Sequence, residues 1–123
     1  MAMLGKLLNS IWRKNRTETR MNKYSYVFVR EDLPNTVKLV QASHACMEMG
    51  FVTRLPEHPT FLVALSIKDE KNLKKLADKL EHQNIKFNIF FEPDFAYGYT
   101  ALCTEPVEFG KYKIFEKYNL IEI

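Results

Sequence analysis

The pattern that most constrains this chain lies between residues 24 and 67, where an alternating segment, a turn, a helix and a continuous apolar run follow one another. Tyr24, Tyr26, Phe28 and Arg30 fall on one side of an extended chain and Ser25, Val27 and Val29 on the other. These are aromatic and β-branched types that suit a pleated surface, so residues 24 to 30 are a predicted strand. Asp32 and Pro34 punctuate it. Pro34 bars its predecessor from the α conformation, and Thr36 or Asp32 can cap a helix that starts near residues 34 to 37. Gly50 suits the position just past the end of that helix. Thr60 to Ile67 then has the length of a strand and is apolar nearly throughout, as expected of a strand buried on both faces. A strand, a helix and a strand in this order close as a right-handed crossover with the two strands parallel.

Within the helix, Lys38, Gln41, His44 and Glu48 form a continuous arc, while Leu39, Val40, Cys46 and Met47 point the other way. The expectation is an apolar face on the core and a polar face left accessible, with the small Ala42 and Ala45 flanking it. An ordinary solvated face has the same appearance.

Asp69 and Glu70 open the next helix, where the macrodipole favours acids, and Leu73, Leu76, Ala77 and Leu80 form its apolar stripe. Lys71, Lys74, Lys75, Asp78 and Lys79 surround that stripe; the lysines are most simply a solvated face, the sharper alternative being a patch for backbone phosphates. Lys86 to Phe91 is a third predicted strand and Thr100 to Thr104 a fourth, the short link between them permitting an antiparallel pair. That link, Glu92 to Tyr99, holds two carboxylates and three aromatics; it is either a locally packed turn or part of a site, since sites gather in loops at strand ends. Pro106 is expected to begin a final helix carrying Phe109, Tyr112, Phe115 and Tyr118. The whole implies a single compact α/β domain with a mixed sheet of about four strands and helices on both faces.

Residues 1–20 stand apart. Leu4, Leu7, Leu8, Ile11 and Trp12 fall at helical spacing beside Lys6, Arg13 and Lys14, a short amphipathic basic extension to a domain spanning 21–123. It is too short and polar to span a bilayer; it can touch a membrane surface, act as an organellar presequence, pack on the body, or be dispensable. Its five basic residues against Glu18 leave four positive charges, so a whole-chain charge of +3 makes the body one unit negative. Local basic clusters rather than net charge would have to make any phosphate contacts. Cys46 and Cys103, far apart on different elements, suit reduced thiols better than a disulfide framework. His44, His58 and His82 are scattered and match no zinc spacing.

Asp32-Leu33, Lys38, Gln41 and Ser43-His44-Ala45 resemble the signature of the archaeal and eukaryotic-type (type 2) peptidyl-tRNA hydrolases, whose pattern runs Asp-Leu/Met, Gly-Lys, Ala-Ala-Gln, x-Ser-His-Ala. The similarity runs in element order from about Tyr24 to about Thr104. It implies hydrolysis of the ester between a peptide and the terminal ribose of tRNA, by activated water and positioned side chains, with no metal or cofactor. Catalysis would fall to His44 with Glu92 or Asp94, and substrate binding to Gln41, Lys38 and Asp32. Lys38 stands three residues before Gln41, where the family lysine stands four before it. The family loop Asp-Ala-Gly-Arg-Thr-Gln is replaced by one that keeps an acid but neither the arginine nor the threonine. A divergent member with a re-made, weakened site follows. It would be cytoplasmic, with tRNA or peptidyl-tRNA as partner and a homodimer left open. The competing expectation is a non-catalytic module that binds an RNA end or a protein on the same fold.

Overall fold

The structure, a computed structural model, describes residues 23–53, 60–108 and 110–122. The amphipathic extension and His58 lie outside the described residues. β1 (Tyr24–Arg30) leads into α1 (Asn35–Val52), then β2 (Phe61–Ile67), α2 (Glu70–His82), β3 (Phe87–Glu92) and β4 (Gly98–Thr104). Single 3-10 turns cover Asp94–Ala96 and Tyr112–Phe115.

The four strands form one mixed sheet in the order β2-β1-β4-β3. β1 and β2 are parallel from Tyr24↔Phe61 to Arg30↔Ile67, as a crossover through α1 requires, and β4 is antiparallel to both β1 and β3. β1, β2 and β3 therefore point the same way, and their carboxyl ends share one edge of the sheet.

Strand alternation sends Tyr26, Phe28 and Leu102 to one face and Val27, Val29, Ala101 and Cys103 to the other. α2 covers the first. Leu73, Leu76 and Leu80 are fully buried there, which at roughly 1.5–3 kcal/mol per leucine makes α2 firmly anchored. Its start is fixed by Asp69, whose Oδ1 accepts the Asn72 backbone N–H at 2.9 Å and the Asn72 side-chain amide at 2.7 Å. α1 covers the opposite face, with Ala45 and Met49 buried over Val27, Val29, Ala101 and Cys103.

Four expectations need correction. The facing of α1 is reversed: Gln41 is 4% exposed, whereas Leu39 is 62% and Phe51 81% exposed, and Val40 and Met47 also lie in solvent. Only Cys46 of the expected core residues turns toward the sheet. Gln41 goes inward because the strands beneath offer it partners for both ends of its amide. The helix starts at Asn35, within the expected 34 to 37, but its cap and its end differ. Pro34 stands at the N-cap without a side-chain cap bond, and α1 runs through Gly50 to Val52. No final α-helix follows Pro106 among the described residues. Gly110, at φ +99°, takes the left-handed conformation that breaks a helix, and Tyr112–Phe115 make only a 3-10 turn. Phe115 stacks on Tyr26 with ring centroids 3.9 Å apart, and Tyr118 meets Phe28 edge-on. The chain then closes the outer edge of β2, where the Ser66 N–H donates to Asn119 and the Ile121 N–H to Ala64. β2 is thus a covered edge strand rather than one buried on both faces throughout, and Leu62 is exposed.

Candidate functional site

The site forms at the shared carboxyl edge of β1 and β3, the position where open α/β sheets gather ligands. α1 crosses above it. The Gln41 Oε1 accepts the Thr100 hydroxyl at 2.5 Å, and the Gln41 Nε2 donates to the Glu92 Oε2 at 2.9 Å. The two partners fix the amide orientation, because a hydroxyl can donate to the oxygen but an ionised carboxylate only accepts. Thr100 is fully buried on β4, and Glu92, the last residue of β3, is half-buried. The polar cluster thus bridges a helix and two strands.

Glu92 accepts a second bond on Oε1 from the Asp94 backbone N–H at 3.2 Å. The Gln41 amide, then this backbone donor, then the nearby His44 hold its carboxyl below the usual carboxylate range. It is an acceptor at neutral pH, not an acid. His44 is half-buried, with its ring flat against Phe90, centroids 4.6 Å apart and planes within 2°. It lies within Coulombic reach of Glu92, but no hydrogen bond joins it to Glu92 or Asp94 among the described residues. One turn along α1, Glu48 Oε2 accepts from the Asn88 amide at 2.8 Å, continuing the polar contact along β3.

The structure brings Gln41, His44 and Glu92 together, with Asp94 contributing its backbone N–H. Lys38 lies elsewhere, lining a concavity with Glu31, Ser66, Asn119 and Leu120 on the β1–β2 side of α1. It makes no ion pair among the described residues. Asp32 is engaged too: both its carboxylate oxygens accept from Arg30, from Nε and Nη2, each at 2.9 Å. The charge of Asp32 is therefore met within its own loop.

Arg30 is the residue that sequence reasoning missed. Its side chain is 12% exposed, and its Nη1 donates to the backbone carbonyls of Tyr97 and Tyr99. From α2, the Glu70 Oε2 accepts the Tyr99 N–H at 2.7 Å. The β3–β4 loop is thus clamped by one cation and one carboxylate. The clamp holds a strained segment, since Phe95 and Ala96 have φ near +55° and Gly98 +71°. A Cβ at Gly98 would stand 2.1 Å from the Glu70 Oε2, so a side chain there would push that carboxylate off the Tyr99 N–H, at a φ that already favours glycine. The only local signal for the clamp is a basic residue ending an alternating strand, two residues before an acid. Nothing in the sequence near Arg30 names Tyr97, Tyr99 or Glu70 as its surroundings.

Chemically, the arrangement offers an imidazole fixed by stacking, a carboxylate kept ionised, and an oriented amide with one hydrogen to spare. No group of three or more His, Cys, Asp or Glu side chains is placed to hold a metal among the described residues. No helix among them is long and apolar enough to cross a membrane.

No family model matches the chain, and no curated protein matches it. The fold is similar to a solved structure of a protein of unknown function from Agrobacterium tumefaciens strain C58, with a TM-score of 0.60 and 14% sequence identity. The match covers 83% of this chain and 99% of that one, and at this identity it shows the shared fold alone.

Proposed function

We infer that this chain is a hydrolase of the peptidyl-tRNA hydrolase type, acting in the cytoplasm on the ester between a peptide and the terminal ribose of tRNA through a re-made site. One observation carries the reading: Gln41 from the signature helix and Glu92 from the loop meet at 2.9 Å beside His44. Two stretches 51 residues apart, each singled out for separate reasons, converge on one polar cluster.

In this reading the His44 imidazole takes a proton from the attacking water, and the ionised Glu92 stabilises the imidazolium that forms. A water between them completes the relay, since they are not directly bonded. The spare amide hydrogen of Gln41 is a donor toward the developing oxyanion, and Asp94 extends the acidic side. Lys38, on the opposite flank of α1, is left to meet a phosphate as a point charge. Arg30 holds Asp32, so Asp32 shapes the loop and is withdrawn from direct contact with the ester.

A second reading, a binding module for an RNA end or a protein, is favoured by a different observation. The Gln41 amide already serves Thr100 and Glu92, and the exposed Phe91 and Phe95 flank the loop as stacking surfaces. Single-turnover hydrolysis of a defined peptidyl-tRNA by the wild type, His44→Ala and Glu92→Gln separates the two. Hydrolysis that falls by roughly a hundredfold or more in His44→Ala, with tRNA binding retained, supports the enzyme. Binding without turnover in the wild type supports the module. Neither binding nor turnover would overturn both.

A further inference from the structure

Two thiols that the hydrolytic reading does not use meet beneath α1. Cys46 is on the sheet-facing side of the helix and partly exposed; Cys103, on β4, is 4% exposed, and both are free thiols. Cys46 packs against the buried cluster that includes Cys103, whose thiol donates to the Thr104 carbonyl at 3.7 Å. Both line one cavity of about 230 Å³, together with Ser25, Met49, Thr60 and Leu62. The close approach has a steric cause. Ala45 on α1 and Ala101 on β4 are both fully buried, and such small side chains let the helix settle low over the sheet. Two thiols that line one cavity across such a close helix–sheet interface are placed to reach disulfide geometry, with Cα atoms about 5.5–6 Å apart, by side-chain rotation and a small settling of the helix.

We propose that Cys46 and Cys103 form a dithiol site for hydroperoxides, in which Cys46 attacks the oxidant and Cys103 closes an intramolecular disulfide. The cavity mixes the hydroxyls of Ser25 and Thr60 with apolar Met49 and Leu62 and admits a small peroxide. The Cys46 sulfur attacks one peroxide oxygen; the O–O bond breaks, and the leaving alkoxide or hydroxide takes a proton to become alcohol or water. Cys46 is now a sulfenic acid. The Cys103 sulfur attacks the Cys46 sulfur, the S–O bond breaks, and the departing hydroxide takes the Cys103 proton as water. Overall, two thiols lose two hydrogens and two electrons, and the peroxide is reduced.

The difference in burial assigns these roles: Cys46 is partly exposed, whereas Cys103 is enclosed on β4, where burial also pushes its thiol upward. The more accessible sulfur is therefore the better thiolate, and the buried one keeps its proton until the second step. The bridge would add a second tie between α1 and β4 beside the Gln41–Thr100 hydrogen bond. The proposal is independent of the hydrolase reading.

The test is stoichiometric hydrogen peroxide on the reduced full chain, followed by intact mass and peptide mapping without reductant. The expected product is a monomer lighter by two hydrogens, with one peptide linking Cys46 to Cys103 and a higher melting temperature. Cys103→Ser should instead accumulate a sulfenic acid at Cys46 that dimedone traps, and Cys46→Ser should leave Cys103 as a thiol. Iodoacetamide should alkylate Cys46 in the wild type roughly tenfold or more faster than Cys103. Should either variant fail to fold, the wild-type mapping and alkylation rates decide alone. Surviving thiols, an intermolecular disulfide, direct passage to sulfinic acid, or oxidation of Met49 in place of the pair would overturn the proposal.

Discussion

Replacing Gln41 by Ala tests the polar cluster at its centre. The change leaves the Thr100 hydroxyl, on a fully buried residue, without its acceptor. An orphaned buried hydroxyl costs about 1–3 kcal/mol, and the space vacated by the longer side chain adds to that. Glu92 loses a donor as well, but its half-exposed carboxylate can turn to water, so the bond to it contributes little net. A total of roughly 2–3 kcal/mol follows, which for a domain of this size lowers the melting temperature by about 8–14 °C. The assay is urea unfolding followed by circular dichroism, with the melting curve as a second measure. The discriminating step is the double variant with Thr100→Val, which removes the hydroxyl that the first change orphaned. It should be less destabilised than the sum of the single changes by about 1 kcal/mol or more. Strictly additive costs, or a Gln41→Ala midpoint equal to that of the wild type, would refute the claim that this amide determines how α1 sits.

Further outcomes follow from the same geometry. The folded-state pKa of Glu92 is lowered, so its contribution is present above the unfolded value of about 4.3 and is lost as pH falls through the folded value. Glu92→Gln should flatten the acid limb of stability against pH, whereas an unchanged limb counts against the Gln41–Glu92 bond in solution. Arg30→Lys keeps the charge but loses the planar fork that serves Asp32 and two carbonyls at once; hydrogen exchange at residues 95–99 should speed up several-fold, with about 1–2 kcal/mol lost globally. Unaltered exchange there would mean that Arg30 does not clamp the loop. Gly98→Ala sets a Cβ against the Glu70 carboxylate at a positive φ and should cost about 2–4 kcal/mol by chemical denaturation. A near-neutral result would show that the loop has another conformation open to it.

The strands and α2 were legible because their patterns are local. Tyr24–Arg30 alternates without a break, and α2 combines an acidic cap with a leucine stripe at helical spacing. The bounds of β3 and β4 differ from expectation by one or two residues, and the parallel and antiparallel pairings are as expected. The facing of α1 was not legible. Apolar residues lie all round it, from Val37 and Leu39 to Met49 and Phe51, so periodicity does not choose a side. What chooses is a pair of hydrogen bonds to Glu92 and Thr100, residues far away in the chain that have no local signature. The meeting of Gln41 with the Glu92 loop could be anticipated from strand direction, since β1 and β3 end on one edge. Arg30 could not, because a basic residue at a strand end looks the same whether it faces water or holds a loop.

The outward apolar side of α1 also bears on how the domain reaches its fold. About half a turn of rotation would bury Leu39, Val40 and Met47, gaining apolar contact at the expense of the Gln41 bonds. Burial alone therefore pulls this helix toward the wrong face, and the native state prevails because hydrogen bonding opposes that pull. Such a conflict roughens the landscape locally and creates a competing compact state close in energy. Gln41 serves as an address label for the helix as much as a part of the site. A Gln41→Leu chain, apolar on every side of α1, would be expected to retain helical content while losing a unique packing, visible as fewer dispersed amide resonances and increased dye binding.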